Sequence, residues 1–529
     1  MPDWNPAEIV GVKPRRLALS LYQYLVTDDV WARQRAEFGY RDVRPCPLVV
    51  TLAGQPFVDV RASFNSFVPA AVGDGVAREL VNHYLDVLRA RPELHDKVEF
   101  DIALTCKSLD FESRAADLLG DLLQPHEVRE LDLALSELTV RGVERLADHT
   151  ASVRSLRERA DMIATNVADP LDRAFLLLED CRRIGTLAFA HLARDAFIAM
   201  EWLRSLIRLG VIDQRQMDAF LSTLRTVSTS FSEDVVRLKG GTVSWDDFLS
   251  RYGHLRPGTY EITSPCYADG MEEYLSIGHG SAPVRDAHRS SAAKFDWPRN
   301  VRSVIESRLA AARMPLDFTT FESFVRTAIE EREGSKFAFT RNLSDALEDL
   351  AAFGARYGLS RDQLSHVRIE DLLRLRRGSD SSIPDMIAAL AEAGETAYRR
   401  TLAVELPTLV FGREELRAFE QAEADANFIT AKTIRAPATV IGTGPPKGVS
   451  LEGTIAVILN ADPGYDWLFT RGISGLITAY GGVNSHMAIR AAEQSLPAAI
   501  GVGIHRHERL AEAKMIELNC AARTVGIVM

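Results

Sequence analysis

The sequence is poor in the features that mark exported and disulfide-stabilised proteins. Its 529 residues include five cysteines, which are scattered and form no Cys-x-x-Cys pair. This pattern argues for reduced thiols and against a disulfide framework or a zinc site. The N-terminal segment has no apolar stretch of signal-peptide length. Together these absences predict a cytoplasmic protein.

Long hydrophobic runs and an excess of positive charge are also missing. The most apolar helical segment, Leu187 to Ile207, is interrupted by charged residues, namely Arg194, Asp195, Glu201 and Arg204. Such a segment does not suit a membrane-spanning helix. The net charge is -11, whereas proteins that bind nucleic acids or anionic membranes usually carry basic patches. We therefore expect a small-molecule ligand, with neither a nucleic acid nor a membrane as partner.

A phosphate-binding loop of the GxxxxGK[ST] type is absent as well. The string GTGPPKG (Gly442 to Gly448) contains two prolines, which lack the backbone N–H donors that such a loop needs. Use of ATP further requires a cation on the phosphates and carboxylates that hold magnesium. We therefore expect the chain alone not to bind or hydrolyse ATP.

The pattern of apolar residues divides the chain into three parts, which is in keeping with its length. Residues 1–75 form a β-containing segment, in which PLVVTLAG and PFVDVRASF flank a Gly-Gln-Pro turn and predict a hairpin. Residues 76–420 have helical periodicity with a loop-rich insert at 245–292. Residues 427–529 alternate short strands (ATVIGTG, GTIAVILNA, ISGLITAYGG) with short helices. The prediction is a multidomain α+β protein with a large helical middle region and a C-terminal α/β domain.

The string that most clearly indicates a catalytic residue is AYGGVNSHMAIR, Ala479 to Arg490. A strand enters a Gly-Gly turn, and a helix begins at or just after Asn484-Ser485, so His486 lies in its first turn. Unpaired N–H groups and the positive end of the helix dipole favour a phosphoryl group there. Neutral imidazole can attack phosphorus. An isolated histidine would more often merely accompany a helix cap, but the flanking Gly-Gly and Leu-Pro-Ala-Ala-Ile-Gly favour the nucleophile.

The run Gly-Gly-x-Asn-Ser-His-x-Ala-Ile-x-Ala resembles the swivelling phosphohistidine domain of phosphoenolpyruvate synthase and pyruvate phosphate dikinase. The resemblance covers residues 427–529 and implies a β/β/α-type fold in which His486 is transiently phosphorylated. It also implies that Gly481, Gly482, Asn484 and Ser485 support the phosphohistidine. The string NSHMAIR is more similar to the L-glutamine kinase branch, which phosphorylates a side-chain amide.

Upstream strings resemble that branch too, including DWNPAEIVG, RYGHLRPGTYEITSP and REGSKFAFTRNLS. The resemblance implies that ATP phosphorylates the histidine at one site, the domain swings, and the histidine phosphorylates a small acceptor elsewhere. The chain begins where an ATP-grasp domain would end and lacks the phosphoenolpyruvate-binding barrel. We therefore expect ATP and Mg²⁺ to be bound by a separate ATP-grasp protein.

The loop-rich insert supplies candidates for acceptor binding, because arginine holds carboxylates and phosphoryl groups through two parallel hydrogen bonds. A structural loop whose polar residues cap helices explains the same residues equally well. The candidates are Arg251, His254, Arg256, Tyr260 and Glu261.

Three residues near the N-terminus are candidates for the nucleotide side. Asp3 and Glu8 are possible remnants of magnesium ligands, although solvated surface carboxylates are the simpler interpretation. Arg61 follows from the resemblance of VDVR to a terminal ATP-grasp strand. For Arg332, Lys336 and Arg341 a solvated basic face paired with neighbouring glutamates is favoured. The sequence assigns no metal ligands.

The leading functional hypothesis is a phosphotransferase subunit that passes a phosphoryl group from ATP through His486 to a small acceptor, such as the amide of L-glutamine. One alternative is a phosphocarrier or regulatory protein that a partner phosphorylates. Others are a phosphoenolpyruvate synthase-like protein and a scaffold without chemistry. A formed pocket around Arg251 to Asp269 would favour the enzyme, and a flat surface there would favour the carrier.

Overall fold

The computed structural model describes residues 5–270, 295–377, 382–419, 426–442, 449–482 and 485–528. Asp3, Asn484 and residues 271–294 of the loop-rich insert lie outside these ranges. None of the helices within them combines the length and the apolar composition needed to cross a membrane.

The N-terminal part contains the predicted hairpin, formed by antiparallel strands β1 (Val49–Leu52) and β2 (Gln55–Val58). The turn is Ala53-Gly54, with φ of 48° and 82°, and not the predicted Gly-Gln-Pro. Two left-handed residues suit the twist of a two-residue hairpin. Strand β2 ends at Val58 because the Asp59 side chain caps the next helix, accepting from the backbone N–H of Ala62 at 3.0 Å. The strand predicted for VDVR is therefore wrong at Arg61.

Short helices surround this hairpin, and longer helices follow it. The short helices before the hairpin and directly after it are Pro6–Ile9, Arg16–Tyr22, Gln23–Thr27 (a π-helix), Val30–Phe38 and Val60–Asn65. The next are Asp74–Ala90, Pro92–Leu94, Val98–Asp101, Phe111–Leu119, Pro125–Asn166, Pro170–Asp180, Cys181–Gly185 (a π-helix), Thr186–Arg208, Gln214–Leu221, Val227–Lys239 and Trp245–Tyr252. The last are Arg299–Ala311, Phe318–Arg356, Arg361–Leu364, Ile369–Arg374, Leu375–Arg377, Ile383–Ala403 and Glu414–Leu416. The described middle of the chain is mostly helical, and Trp245–Tyr252 is a helix within the expected insert.

The helical region is built around two long helices, Pro125–Asn166 and Phe318–Arg356. Thr186–Arg208 packs against both, and its buried Trp202 stacks on Phe321 with ring centroids 5.5 Å apart. Aromatic pairs of this kind add to the free energy gained from burial alone. The long helix Phe318–Arg356 therefore has a fixed position, and one of its faces reaches the C-terminal sheet.

The strands described in the C-terminal part are β3 (Asn427–Ile429), β4 (Thr433–Val440), β5 (Ile455–Asn460), β6 (Gly475–Tyr480), β7 (Ala498–Ile500), β8 (Met515–Asn519) and β9 (Thr524–Ile527). They form one sheet in the order β3-β7-β6-β5-β4-β8-β9. The four neighbours β7, β6, β5 and β4 are parallel, and β3, β8 and β9 join antiparallel to their neighbours. Two helices, His486–Glu493 and Ile504–Ala511, and the 3₁₀ segment Pro463–Thr470 connect the strands. A mixed sheet beside a large helical region agrees with the predicted α+β class.

Candidate functional site

His486 is the first residue of the helix that follows strand β6, as the sequence predicted. Gly481 makes the turn with φ of 140°, where a Cβ would lie 2.6 Å from the Cβ of Ala461. Any side chain at this position would therefore clash. Ser485 caps the helix, its hydroxyl accepting from the backbone N–H of Ala488 at 3.3 Å. Buried Met487 holds the helix against the sheet.

The His486 ring lies between two carboxylates and is only 6% exposed. Its Nδ1 is 2.7 Å from Glu333 Oε2, and its Nε2 is 2.7 Å from Asp466 Oδ1. The Ser228 hydroxyl lies 3.3 Å from Nε2 and donates to Asp466 Oδ2 at 3.0 Å. Ionised carboxylates only accept hydrogen bonds, so both ring nitrogens carry protons. We call this arrangement the carboxylate clamp: His486, Glu333 and Asp466.

The three groups of the carboxylate clamp stabilise one another's charge. Burial alone would lower the pKa of His486, but Asp466 and Glu333 outweigh burial and raise it to about 9. Burial opposes ionisation of Glu333 too, yet Arg332 and His486 hold its pKa well below the ordinary value. The pKa of Asp466 is lowered against burial by His486 and Arg490. At neutral pH the clamped histidine is an imidazolium, which has no lone pair for attack on phosphorus.

The raised pKa leads to a prediction about pH. The folded value of about 9 lies above the ordinary 6.5, so the clamp's contribution to stability is complete below about pH 6.5 and is lost as pH rises through 9. Histidine NMR should therefore show His486 titrating near pH 9. In Glu333→Gln the midpoint should fall by about 1 to 3 pH units, because one of the two neighbouring negative charges is gone.

Glu331→Gln is the matched control for that titration. Glu331 lies on the same helix and is half-buried, and no hydrogen bond joins it to His486 in the described structure. Its substitution should leave the midpoint of His486 unchanged. A midpoint near 6.5 in the unaltered protein would mean that His486 is not clamped in solution.

The clamp joins two parts of the chain. Asp466 belongs to the 3₁₀ segment of the C-terminal domain, whereas Glu333 and Ser228 belong to the helices Phe318–Arg356 and Val227–Lys239. The contact between these parts is close: a Cβ on Gly464 would lie 2.1 Å from the carbonyl oxygen of Arg256. The C-terminal domain is thus docked on the helical region with His486 at the interface.

Beside the clamp is a small cavity, and two of the predicted acceptor residues, His254 and Arg256, line it together with His486. Its volume is about 30 Å³, whereas sites for small ligands usually measure ~300–1,000 Å³. Lys336, on the same helix as Glu333, lines it too. In this docked arrangement the cavity has room for about one water molecule.

The two acceptor candidates in the cavity differ in charge. Arg256 is buried and donates to Ser344 Oγ at 2.8 Å and to Glu348 Oε1 at 2.7 Å. His254 is buried too, and burial together with the charge of Arg341 holds its pKa well below the ordinary value. The cavity therefore combines a cation with a neutral imidazole.

The remaining acceptor candidates do not line this cavity. Tyr260 is buried and packs edge-on against Tyr22, with ring centroids 5.8 Å apart. The Glu261 carboxylate accepts from the hydroxyl of Thr263 at 3.0 Å. Arg251 is largely exposed and donates to Asp234 Oδ2 at 2.8 Å.

The two nucleotide-side candidates within the described residues, Glu8 and Arg61, do not line the cavity either. Glu8 is buried in the first helix, and Arg61 donates to Asn82 Oδ1 at 3.2 Å. The sequence predicted a solvated basic face that includes Arg332. This prediction is wrong for Arg332, which is buried and pairs with Glu333 at 2.7 Å. The helix face that carries Arg332 and Glu333 contacts the docked domain and not solvent.

Another group of described residues has the ligand types of a metal site, but neighbouring cations make metal binding unfavourable there. Ligand atoms of Cys266, Asp269 and Glu348 lie within 4.8 Å of one another. Glu348, however, forms ion pairs with both Arg256 and Arg361. Two guanidinium groups on one carboxylate compete with a cation for its oxygens, so we assign no metal there.

Sequence reasoning did not single out Glu333, Asp466 or Ser228. Glu333 was interpreted as a partner of surface lysine and arginine, and Asp466 lies in the string GYDWLF without a recognisable catalytic pattern. No local pattern marks them, since their role depends on the docking of the domain.

Residues 450–523 match the family model described as PEP-utilising enzyme, mobile domain. A search of curated proteins finds no significant match to the chain. The matched segment contains strands β5 to β8 and the helix that begins at His486. Domains of this family are typical of phosphotransferases with a phosphohistidine intermediate, which supports the family resemblance inferred from the sequence.

Proposed function

We propose that the protein is a phosphotransferase in which His486 accepts a phosphoryl group and passes it to a small acceptor. The observation that carries this proposal is the position of His486: it begins a helix in the matched mobile domain and faces a polar cavity of the helical region. A cavity with a buried arginine and a neutral histidine supports an enzyme over a simple phosphocarrier, which would need no acceptor site.

The reaction has two steps. In the first, a neutral nitrogen of His486 attacks the γ-phosphorus of ATP, an N–P bond forms, and ADP leaves. In the second, an oxygen or nitrogen of the acceptor attacks that phosphorus, the N–P bond breaks, and the acceptor's proton passes to a base. In this proposal His254 takes the proton and Arg256 orients the acceptor.

We further propose that Mg²⁺ and ATP are bound by a separate ATP-grasp protein. Within the described ranges, the strands outside the C-terminal sheet are those of the hairpin β1–β2. A nucleotide site built on a sheet is therefore not among the described elements of the helical region. The resemblance of NSHMAIR to L-glutamine kinases supports a side-chain amide as the acceptor.

The two steps should be separable by substitution of Arg256. Arg256→Ala removes the buried cation of the acceptor cavity and leaves the His486 ring and its helix in place. We expect transfer from phospho-His486 to the acceptor, tested with L-glutamine, to slow by roughly 10- to 100-fold through loss of positioning. Phosphorylation of His486 by the ATP-grasp protein should stay unchanged, as measured by rapid-quench assays of each step.

Arg361→Ala is the matched control, since Arg361 also pairs with Glu348 but does not line the cavity. Its effect on either step should be small. Equal loss of both steps in Arg256→Ala would place Arg256 outside the acceptor site. Arg256→Lys, which retains the positive charge, tests whether any loss comes from misfolding.

A further inference from the structure

A second, wider cleft lies next to the cavity that contains His486. Its volume is about 470 Å³, within the ~300–1,000 Å³ typical of small-molecule sites. The cleft and the cavity share Val227, Tyr252 and Phe337 in their linings. The cleft therefore has the room for an acceptor that the cavity itself lacks, and the two share a wall.

Three guanidinium groups from three helices line this cleft, which we call the arginine cleft: Arg157, Arg251 and Arg341. They come from the helices Pro125–Asn166, Trp245–Tyr252 and Phe318–Arg356. The other polar lining residues are Ser230 and Ser250, and no carboxylate is among the described residues that line it. The wall of the arginine cleft is thus rich in hydrogen-bond donors.

The contacts of these arginines leave donors for a ligand. Arg157 pairs with Asp161 at 3.3 Å, Arg251 donates to Asp234 at 2.8 Å, and Arg341 donates to the carbonyl of Arg251 at 2.7 Å. A guanidinium has five N–H donors, so each group retains several.

Arg157 and Arg341 repel each other, although carboxylates lie near both. Burial lowers the pKa of Arg341, and the neighbouring Arg157 lowers it further, while Asp345 and Asp161 offset only part of the effect. A bound anion between the two arginines would relieve their repulsion.

Building on the proposed function, we infer that the arginine cleft binds the anionic group, a carboxylate or a phosphate, of the acceptor. Arginine is suited to both groups because its planar donors pair with two oxygens at once. The rest of the acceptor would extend past Tyr252 and Phe337 towards His486. The acceptor class is therefore a small organic anion, which includes amino acids through their α-carboxylate.

The inference can be tested by anion binding to the full chain without any phosphoryl transfer. Sodium phosphate and sodium succinate are titrated by calorimetry at constant ionic strength. We expect at least one of them to bind and the affinity to fall by roughly tenfold in Arg157→Gln and in Arg341→Gln, since each loses a charged hydrogen bond. The Arg157 side chain is 51% exposed, so its substitution should not disturb folding.

Arg154→Gln is the control, because Arg154 lies on the same helix as Arg157 but outside the arginine cleft. It should bind the anions as the unaltered protein does. Failure of both anions to bind, or equal binding in all variants, would overturn the inference. The variant His486→Asn distinguishes this inference from the proposed function, because anion binding should persist in the variant. A lack of phosphate on His486 in the unaltered protein would refute phosphotransfer but not anion binding by the arginine cleft.

Discussion

Replacement of His486 by asparagine should abolish the incorporation of phosphate into the protein. The ring is the nucleophile of the proposed first step, and the amide of asparagine has no basic lone pair that could take its place. Given the ATP-grasp protein and magnesium-ATP, the unaltered chain should carry a phosphate that is labile in acid and stable in base. Mass spectrometry should place it on His486 and should detect none in His486→Asn.

His254→Asn is the appropriate control for this experiment. His254 is also buried and lines the same cavity, but it belongs to the helical region and not to the matched mobile domain. Phosphate should still appear on His486 in this variant. Label that survives in His486→Asn would refute the assignment of the nucleophile.

The second large effect concerns the use of ATP by the chain alone and with its proposed partner. The purified chain alone should neither hydrolyse ATP nor phosphorylate itself, and a separate ATP-grasp protein should restore both. The sequence lacks a phosphate-binding loop of the GxxxxGK[ST] type. In addition, the clamped His486 is protonated at neutral pH and cannot attack ATP until it leaves Glu333.

Calorimetric titration with magnesium-ATP is the direct measurement. We expect no binding by the chain alone, and no phosphate on His486 after incubation. Addition of the ATP-grasp protein to the unaltered chain and to His486→Asn separates ATP hydrolysis by the partner from transfer to the histidine. Tight binding by the chain alone, with phosphate on His486, would contradict the division into two proteins.

The local elements of this protein could be predicted from the sequence because their causes are local. The helical middle region follows from apolar residues at three-to-four spacing. The position of His486 follows from the Gly-Gly turn and the Ser485 cap, which act within a few residues. The hairpin was predicted, but two of the three predicted turn residues, Gln55 and Pro56, are strand residues.

The carboxylate clamp could not be predicted, since its residues are distant in sequence. Glu333 is separated from His486 by 153 positions, and no local pattern shows which helix face receives the domain. Tyr260 was proposed for the acceptor site because it is close to Arg256 in sequence. Its ring instead packs into the core beside Tyr22, since neighbours in a loop need not point the same way.

Under the proposed function, the carboxylate clamp would also set the order of the two steps. A phosphoryl group on either ring nitrogen would replace a proton that is hydrogen-bonded to a carboxylate in the clamp. The group would carry roughly two negative charges. Glu333 and Asp466 would therefore attract the protonated histidine and repel the phosphohistidine. In the proposed reaction, the docked domain corresponds to the state after delivery, when the protonated ring is held away from a new donor. The bound proton would then have to leave His486 before the next transfer from ATP.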